Sequence, residues 1–137
     1  VLTSVAGSLN NISGGAGIDN LNLTASAGDD RLVLNLGDTG ATVATGDTVT
    51  GFLAAGTDVI DLRGFGFDVA LQAVTAMRAA LNGTANEFAG AAVVAAAIGG
   101  NTTLYVDTNG DNKLGAGDLV ANLIGTAAVV AADILWA

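Results

Sequence analysis

The chain has no cysteine, no histidine and no proline among its 137 residues. Without cysteine there are no disulfides and no thiolate metal sites. Without histidine the commonest transition-metal ligand and the commonest general base are missing. Basic residues are scarce as well: four stand against thirteen acids, for a formal net charge of −9. So few Lys and Arg make nucleic acid a poor partner, because phosphate binding depends on them. Aromatics are 4% of the chain, and no apolar run reaches the roughly 18 residues of a membrane span. The longest candidate, Ala89 to Ile98, is short and built of small residues. No N-terminal signal peptide is visible and Val1 is not an initiator methionine, as expected of a processed product or a fragment. No G-x-S-x-G and no glycine loop ending in Lys-Ser/Thr is present. Aspartate pairs can in principle hydrolyse a glycoside, but here they sit in glycine loops, where ion binding or solvation explains them better. The expectation is a chain that is not an enzyme.

What the sequence does hold is aspartate, glycine and small apolar residues. Glu87 is the one glutamate; the other acids are Asp. Short carboxylates serve turns and ions, whereas Glu is the better helix former. A metal bound by such a chain is hard and oxygen-ligated, and Ca²⁺ leads. The length suits one domain with a real core.

Val1 to Ile12 alternates loosely and reads as strand and turn. Arg31 to Leu36 alternates as a strand, Thr42 to Phe52 is β-branched, and Ala54 to Leu62 reads as turn then strand. Phe67 to Gly83 changes character. Ala70, Ala73, Val74, Met77 and Leu81 fall at helical spacing, with Asp68 suited to the N-cap and Gly83 to the C-terminal cap. The spacing predicts a helix over 68–82. Ala91 to Ile98 is strand or helix, since alanine is too neutral to decide. Thr102 to Val106 and Leu119 to Ile124 flank an Asp-rich stretch and predict a hairpin with a long acidic loop.

Two stretches carry ion chemistry. In "GGAGIDNLN" (14–22), Gly14, Gly15 and Gly17 bring backbone carbonyls close to an ion. Asp19 turns a carboxylate into the same space, and Leu21 points into a core. A degraded copy, "ASAGDDRLV" (25–33), sets Gly28 under Gly17 and Asp30 under Asp19, with Ala25 and Ser26 in place of the first two glycines. The alternative is a glycine-rich hairpin turn. In "DTNGDNKLGAGD" (107–118), Asp107, Asn109, Asp111 and Asp118 occupy positions 1, 3, 5 and 12 of an EF-hand-like loop, with the Lys113 carbonyl at position 7. Asn112 stands where glycine is usual, though Asn tolerates the left-handed conformation, and position 12 is Asp rather than Glu. The flanks read as strands, so the loop is EF-like only; the alternative is a solvated acidic turn. In "GTDVIDL" (56–62), spacing does not choose between a turn cap and a cation ligand for Asp58.

Three stretches together resemble the RTX (repeats-in-toxin) family. "GGAGIDNLN" resembles its nonapeptide repeat. "DTVTGFLAAGTDVIDL" (47–62) is similar to the segment after the repeats in serralysin-type C-terminal domains, with Gly51 where that family prefers Asp. "TLYVDTNGDNKLGAGDLVANLIGTAAVVAADILWA" (103–137) is similar to the end of the same domains. The resemblance implies a mainly β fold: a short parallel β-roll over 1–66, then 67–137 with the helix, β-hairpins or sandwich and a secretion signal, in one continuous domain. It implies Ca²⁺ held by Gly14, Gly15, Gly17, Asp19, Gly28 and Asp30 in the roll. It also implies export from a Gram-negative cell by a type I system, with Asp133, Ile134, Leu135 and Trp136 at the signal position, and folding driven by Ca²⁺ outside. Two functions follow. One is an extracellular structural block, of the surface-layer, adhesin or matrix kind, that assembles with copies of itself into a homo-oligomer or polymer. The other is the non-catalytic calcium-binding and secretion domain of a protease or lipase. A carbohydrate-binding module is a third, weakened by having one Trp and one Tyr for stacking. Neither nucleic acid nor membrane insertion is expected.

Overall fold

The computed structural model describes residues 1–5, 9–24, 28–54 and 56–136. The chain first winds through six short strands: β1 (Leu2–Thr3), β2 (Asn11–Ile12), β3 (Asn20–Asn22), β4 (Arg31–Val33), β5 (Asp47–Thr50) and β6 (Val59–Asp61). Successive strands go to opposite sheets. β1, β3 and β5 lie side by side in one sheet, and β2, β4 and β6 in the other, all parallel to their neighbours. This is a parallel β-roll with two strands per coil. Register aligns two columns of residues: Leu2, Leu21 and Val49 in one sheet, of which Leu21 and Val49 are buried and Leu2 is exposed, and Ile12, Leu32 and Ile60, all buried, in the other. Each stacks on its counterpart in the next coil, Leu23, Leu34 and Leu62 just past the strand ends join the same core, and full burial of each such side chain contributes about 1.5–3 kcal/mol.

The remaining strands are β7 (Val74–Met77), β8 (Val93–Ile98), β9 (Asn101–Val106), β10 (Leu119–Ile124) and β11 (Ile134–Leu135). β10 pairs with β5 and extends the first sheet to seven strands, in the order β1-β3-β5-β10-β9-β8-β7. β11 pairs with β6 and makes the second sheet β11-β6-β4-β2. Leu123 and Ile134 thus add a fourth member to each core column. β9 and β10 form the antiparallel hairpin that the β-rich flanks predicted. β8, undecided from its alanines, is a strand because both of its faces are covered. Val93 and Ala95 pack into the core between the sheets, while Val94 and Ala96 pack with Leu81, Phe88, Tyr105 and Val120 on the other side. A strand buried on both faces reads as a continuous apolar run rather than an alternation.

The helix expected over 68–82 is absent. Val69–Leu71 makes a single 3-10 turn, with the Asp68 carboxylate accepting from the Ala70 N–H at 3.0 Å, and the chain then enters β7. The cause lies in the alanines. They give a helical stripe little surface to bury, whereas β8 offers an edge along which Val74–Met77 pairs in register with Val93–Ala96. The supposed single stripe is split: Val74 packs on the inter-sheet core, and Met77 and Leu81 on the opposite side. Gly83 does adopt a positive φ of 86°, but in a loop rather than at a helix end.

Candidate metal centres

The first centre is the corner that leads into β3. Gly17 has φ 125°, a value that strains any side-chain-bearing residue. Gly14 is needed for a different reason: a Cβ there would lie 2.7 Å from Oδ2 of Asp19, so glycine is what lets that carboxylate fold back over the turn. The Asp19 N–H donates to Oδ1 of Asp47 at 2.9 Å, and the Gly17 N–H to the Asp38 carbonyl at 3.1 Å. Oδ2 of Asp38 accepts from the Ser13 hydroxyl at 3.0 Å and from the Asn35 N–H at 2.9 Å. Asp47 is fully buried, and its Oδ2 has no hydrogen-bond partner among the described residues. Burial above all pushes the Asp47 carboxyl up from its ordinary value. The charges of Asp19 and Asp38 add to this, against the Asp19 N–H and Thr39 hydrogen bonds. A buried carboxylate with a spare oxygen among like charges is relieved by a hard cation.

The second corner leads into β4, in the other sheet. The Asp30 N–H donates to Oδ1 of Asp58 at 2.9 Å, and Asn10 Nδ2 donates to Oδ1 of Asp30 at 2.6 Å. Oδ2 of Asp30 is buried and unpartnered among the described residues. Asp58 differs. Its Oδ1 takes the Asp30 N–H and its Oδ2 the Leu53 N–H at 2.8 Å, so it caps the turn. Asp61 is neutralised by Arg63, which approaches through Nε at 2.9 Å and through a terminal nitrogen at 2.6 Å. Gly14, Gly15, Gly17 and Asp19 therefore share one corner, while Gly28 and Asp30 belong to another, because successive half-coils face opposite sheets. Ala25 and Ser26, from the degraded copy, lie outside the described residues. Asp38 and Asp47 are the corner residues that spacing did not single out. Asp47 comes from the next coil of the same sheet, and only the register of β3 on β5 brings it to Asp19.

The third centre is the loop joining β9 to β10. One carboxylate oxygen from each of Asp107, Asp111 and Asp118 lies within 4.8 Å of the others. The loop's own N–H groups orient them. Asp107 accepts from Gly110 and Asn112 at 2.8 and 2.9 Å, Asp118 from Thr108 and Gly115 at 3.0 and 2.7 Å, and Asp111 from Lys113 at 2.9 Å. Asn109 accepts from the Asp111 N–H at 2.8 Å. Asn112 sits at φ 60°, the left-handed conformation expected of its position, and its Oδ1 accepts from the Gly90 N–H. Burial first, then the charges of Asp107 and Asp111, push the Asp118 carboxyl up, against hydrogen bonds from Thr108 and Gly115. At every centre the donors are oxygens of Asp, Asn or the backbone, which suits Ca²⁺ and offers nothing to a soft metal.

No protein-family model and no curated protein matches the sequence. Among solved structures, the chain is similar to the solution structure of the AlgE6R2 subunit of the Azotobacter vinelandii mannuronan C5-epimerase. The identity is 22%, the match covers 96% of this chain and 78% of that one, and the TM-score is 0.41.

Proposed function

We propose that this chain is a non-catalytic, calcium-binding structural segment of RTX type that works outside the cell and assembles with copies of itself in a surface layer, adhesin or matrix. The observation that carries the calcium part is the fully buried Oδ2 of Asp47, without a hydrogen-bond partner among the described residues and beside the charges of Asp19 and Asp38. The acidic β9–β10 loop supports the same chemistry with a second group of carboxylates. A net charge of −9 opposes compaction until cations are bound, so binding free energy becomes folding free energy.

Export by a type I system completes the proposal. Asp133 is buried, with Oδ2 accepting from the Val130 N–H at 2.8 Å, and Ile134–Leu135 is β11. Trp136 meets Phe67 edge-on at 6.2 Å. A signal in these residues is readable only before the roll closes, which fits export ahead of calcium-driven folding.

Calorimetric titration with CaCl₂ tests the proposal, with MgCl₂ as the comparison ion. Saturable calcium binding is expected, reduced in stoichiometry by Asp47→Asn and by Asp118→Asn separately. A chain that takes up no calcium contradicts it.

A further inference from the structure

Residues 82–90, between β7 and β8, are tied to the acidic β9–β10 loop by two side chains. The first is Glu87, the one glutamate of the chain. Its Oε1 accepts from the Asn82 N–H at 2.7 Å and the Thr84 hydroxyl at 3.1 Å. Its Oε2 accepts from the Gly83 N–H at 2.9 Å and, across to the loop, from the Leu114 N–H at 3.4 Å. Gly83 presses on the same place: a Cβ there would lie 3.2 Å from the Leu114 carbonyl oxygen. The Leu114 N–H and the Lys113 carbonyl are two ends of one rigid trans peptide, so the bond to Glu87 turns that carbonyl the opposite way. A Cβ built on Gly115 would lie 3.8 Å from the Lys113 oxygen and 3.9 Å from Oδ2 of Asp118, so carbonyl and carboxylate border one space.

The second side chain is Asn112. Its Oδ1 accepts from the Gly90 N–H at 2.6 Å, while its own N–H donates to Oδ2 of Asp107 at 2.9 Å. Between these two ties Phe88 is fully buried, in the cluster formed with Leu81 and Tyr105 on which Leu114 also packs. Residues 82–90 thus hold the peptide that carries the Lys113 carbonyl and the residue that orients Asp107. They contribute none of the three clustered carboxylates.

We infer that residues 82–90 are the brace of the β9–β10 calcium centre, with Glu87 and Asn112 as positioning residues that set its ligands without being ligands. Partners of this kind, one bond removed from a metal, change its affinity by roughly 10–100-fold when they are lost. The coupling is reciprocal, so calcium in the loop steadies residues 82–90 in return. The inference rests on the calcium reading above and adds to it the segment through which that centre is regulated.

Amide-resolved NMR of the chain across a CaCl₂ titration tests it. In Glu87→Gln the midpoint at Gly110, Asn112 and Gly115 should move to roughly tenfold higher calcium, while that at Gly17 and Asp19, in the β3 corner, stays where it is. Asn112→Gly is the second variant. Glycine takes a φ of 60° freely, so a residue that served the turn alone would be replaced without loss. The expected result is weaker binding at this loop only, because the bond to Gly90 is gone. Amide exchange at Gly83 and Gly90 should slow with calcium in the parent and not in Asp118→Asn. Loop affinity unchanged in both positioning variants, an equal loss at loop and corner, or exchange at Gly83 and Gly90 indifferent to calcium each overturns the brace and leaves the calcium centre standing. A parent whose loop amides ignore calcium overturns the calcium reading of this loop and the brace with it.

Discussion

Asp19 donates its backbone N–H to the carboxylate of Asp47 at 2.9 Å, and Asp30 makes the same bond to Asp58, again 28 residues on. The two bonds are one device used on both sheets: each carboxylate ties its own coil to the coil before it. They differ at the second oxygen, which Leu53 satisfies on Asp58 and no described residue satisfies on Asp47. One carboxylate is a completed cap and the other has an oxygen without a hydrogen-bond partner among the described residues.

That difference predicts opposite calcium dependence for matched substitutions. Asp58→Asn loses an acceptor for a buried N–H and should cost about 1–3 kcal/mol with or without calcium. Asp47→Asn should leave the chelated chain no less stable, because it removes a crowded buried charge, and should lose calcium-dependent stabilisation. Urea unfolding in calcium and in chelator measures both.

Gly14→Ala tests the fold-back of Asp19. The added methyl would occupy the place of that carboxylate, so calcium affinity at this corner should fall roughly tenfold, or about 1.4 kcal/mol, by titration. Ala16→Gly, in the same turn, should leave affinity unchanged.

The stacked core makes a simpler prediction. Ile60 is fully buried in the middle of its column, between Leu32 and Ile134. Ile60→Ala should cost about 2–5 kcal/mol in denaturant unfolding. Leu36→Ala, at an exposed position, should change stability by less than about 0.5 kcal/mol.

The sequence carried the parts whose signals are local. The β9–β10 hairpin was legible because β-branched runs flank a charged loop, and the β3 corner because Gly14, Gly17 and Asp19 are close in sequence. The 68–82 segment misled because alanine at helical spacing is compatible with either structure, and the edge of β8, from residues 93–98, decided the matter. Asp38 and Asp47 were not legible as corner residues because their partners are a coil away. Asp58 could not be resolved between cap and ligand until Leu53 was seen to occupy its second oxygen.

The Asp61–Arg63 pair predicts a pH dependence. Hydrogen bonding from the Arg63 guanidinium holds the Asp61 carboxyl below its ordinary 3.8, despite partial burial. A carboxyl lowered on folding stabilises the protein above its unfolded value, and that contribution is lost as pH falls through the lower folded value. Arg63→Gln should therefore be less stable than the parent at neutral pH, and the difference should begin to shrink near 3.8 and be gone once pH has fallen through the lower folded value. Thermal melts across the acid range in chelator measure it, and the difference should shrink in high salt because Arg63 is exposed.

The most direct measurement is the melting temperature of the purified chain in millimolar CaCl₂ and again in excess EGTA. Ligand at about 100 times its dissociation constant stabilises a folded state by about 2.7 kcal/mol per site. A clear rise in melting temperature with calcium, smaller in Asp47→Asn and in Asp118→Asn, is expected. Identical melting and identical circular dichroism in the two buffers would contradict calcium as the ion that completes these corners.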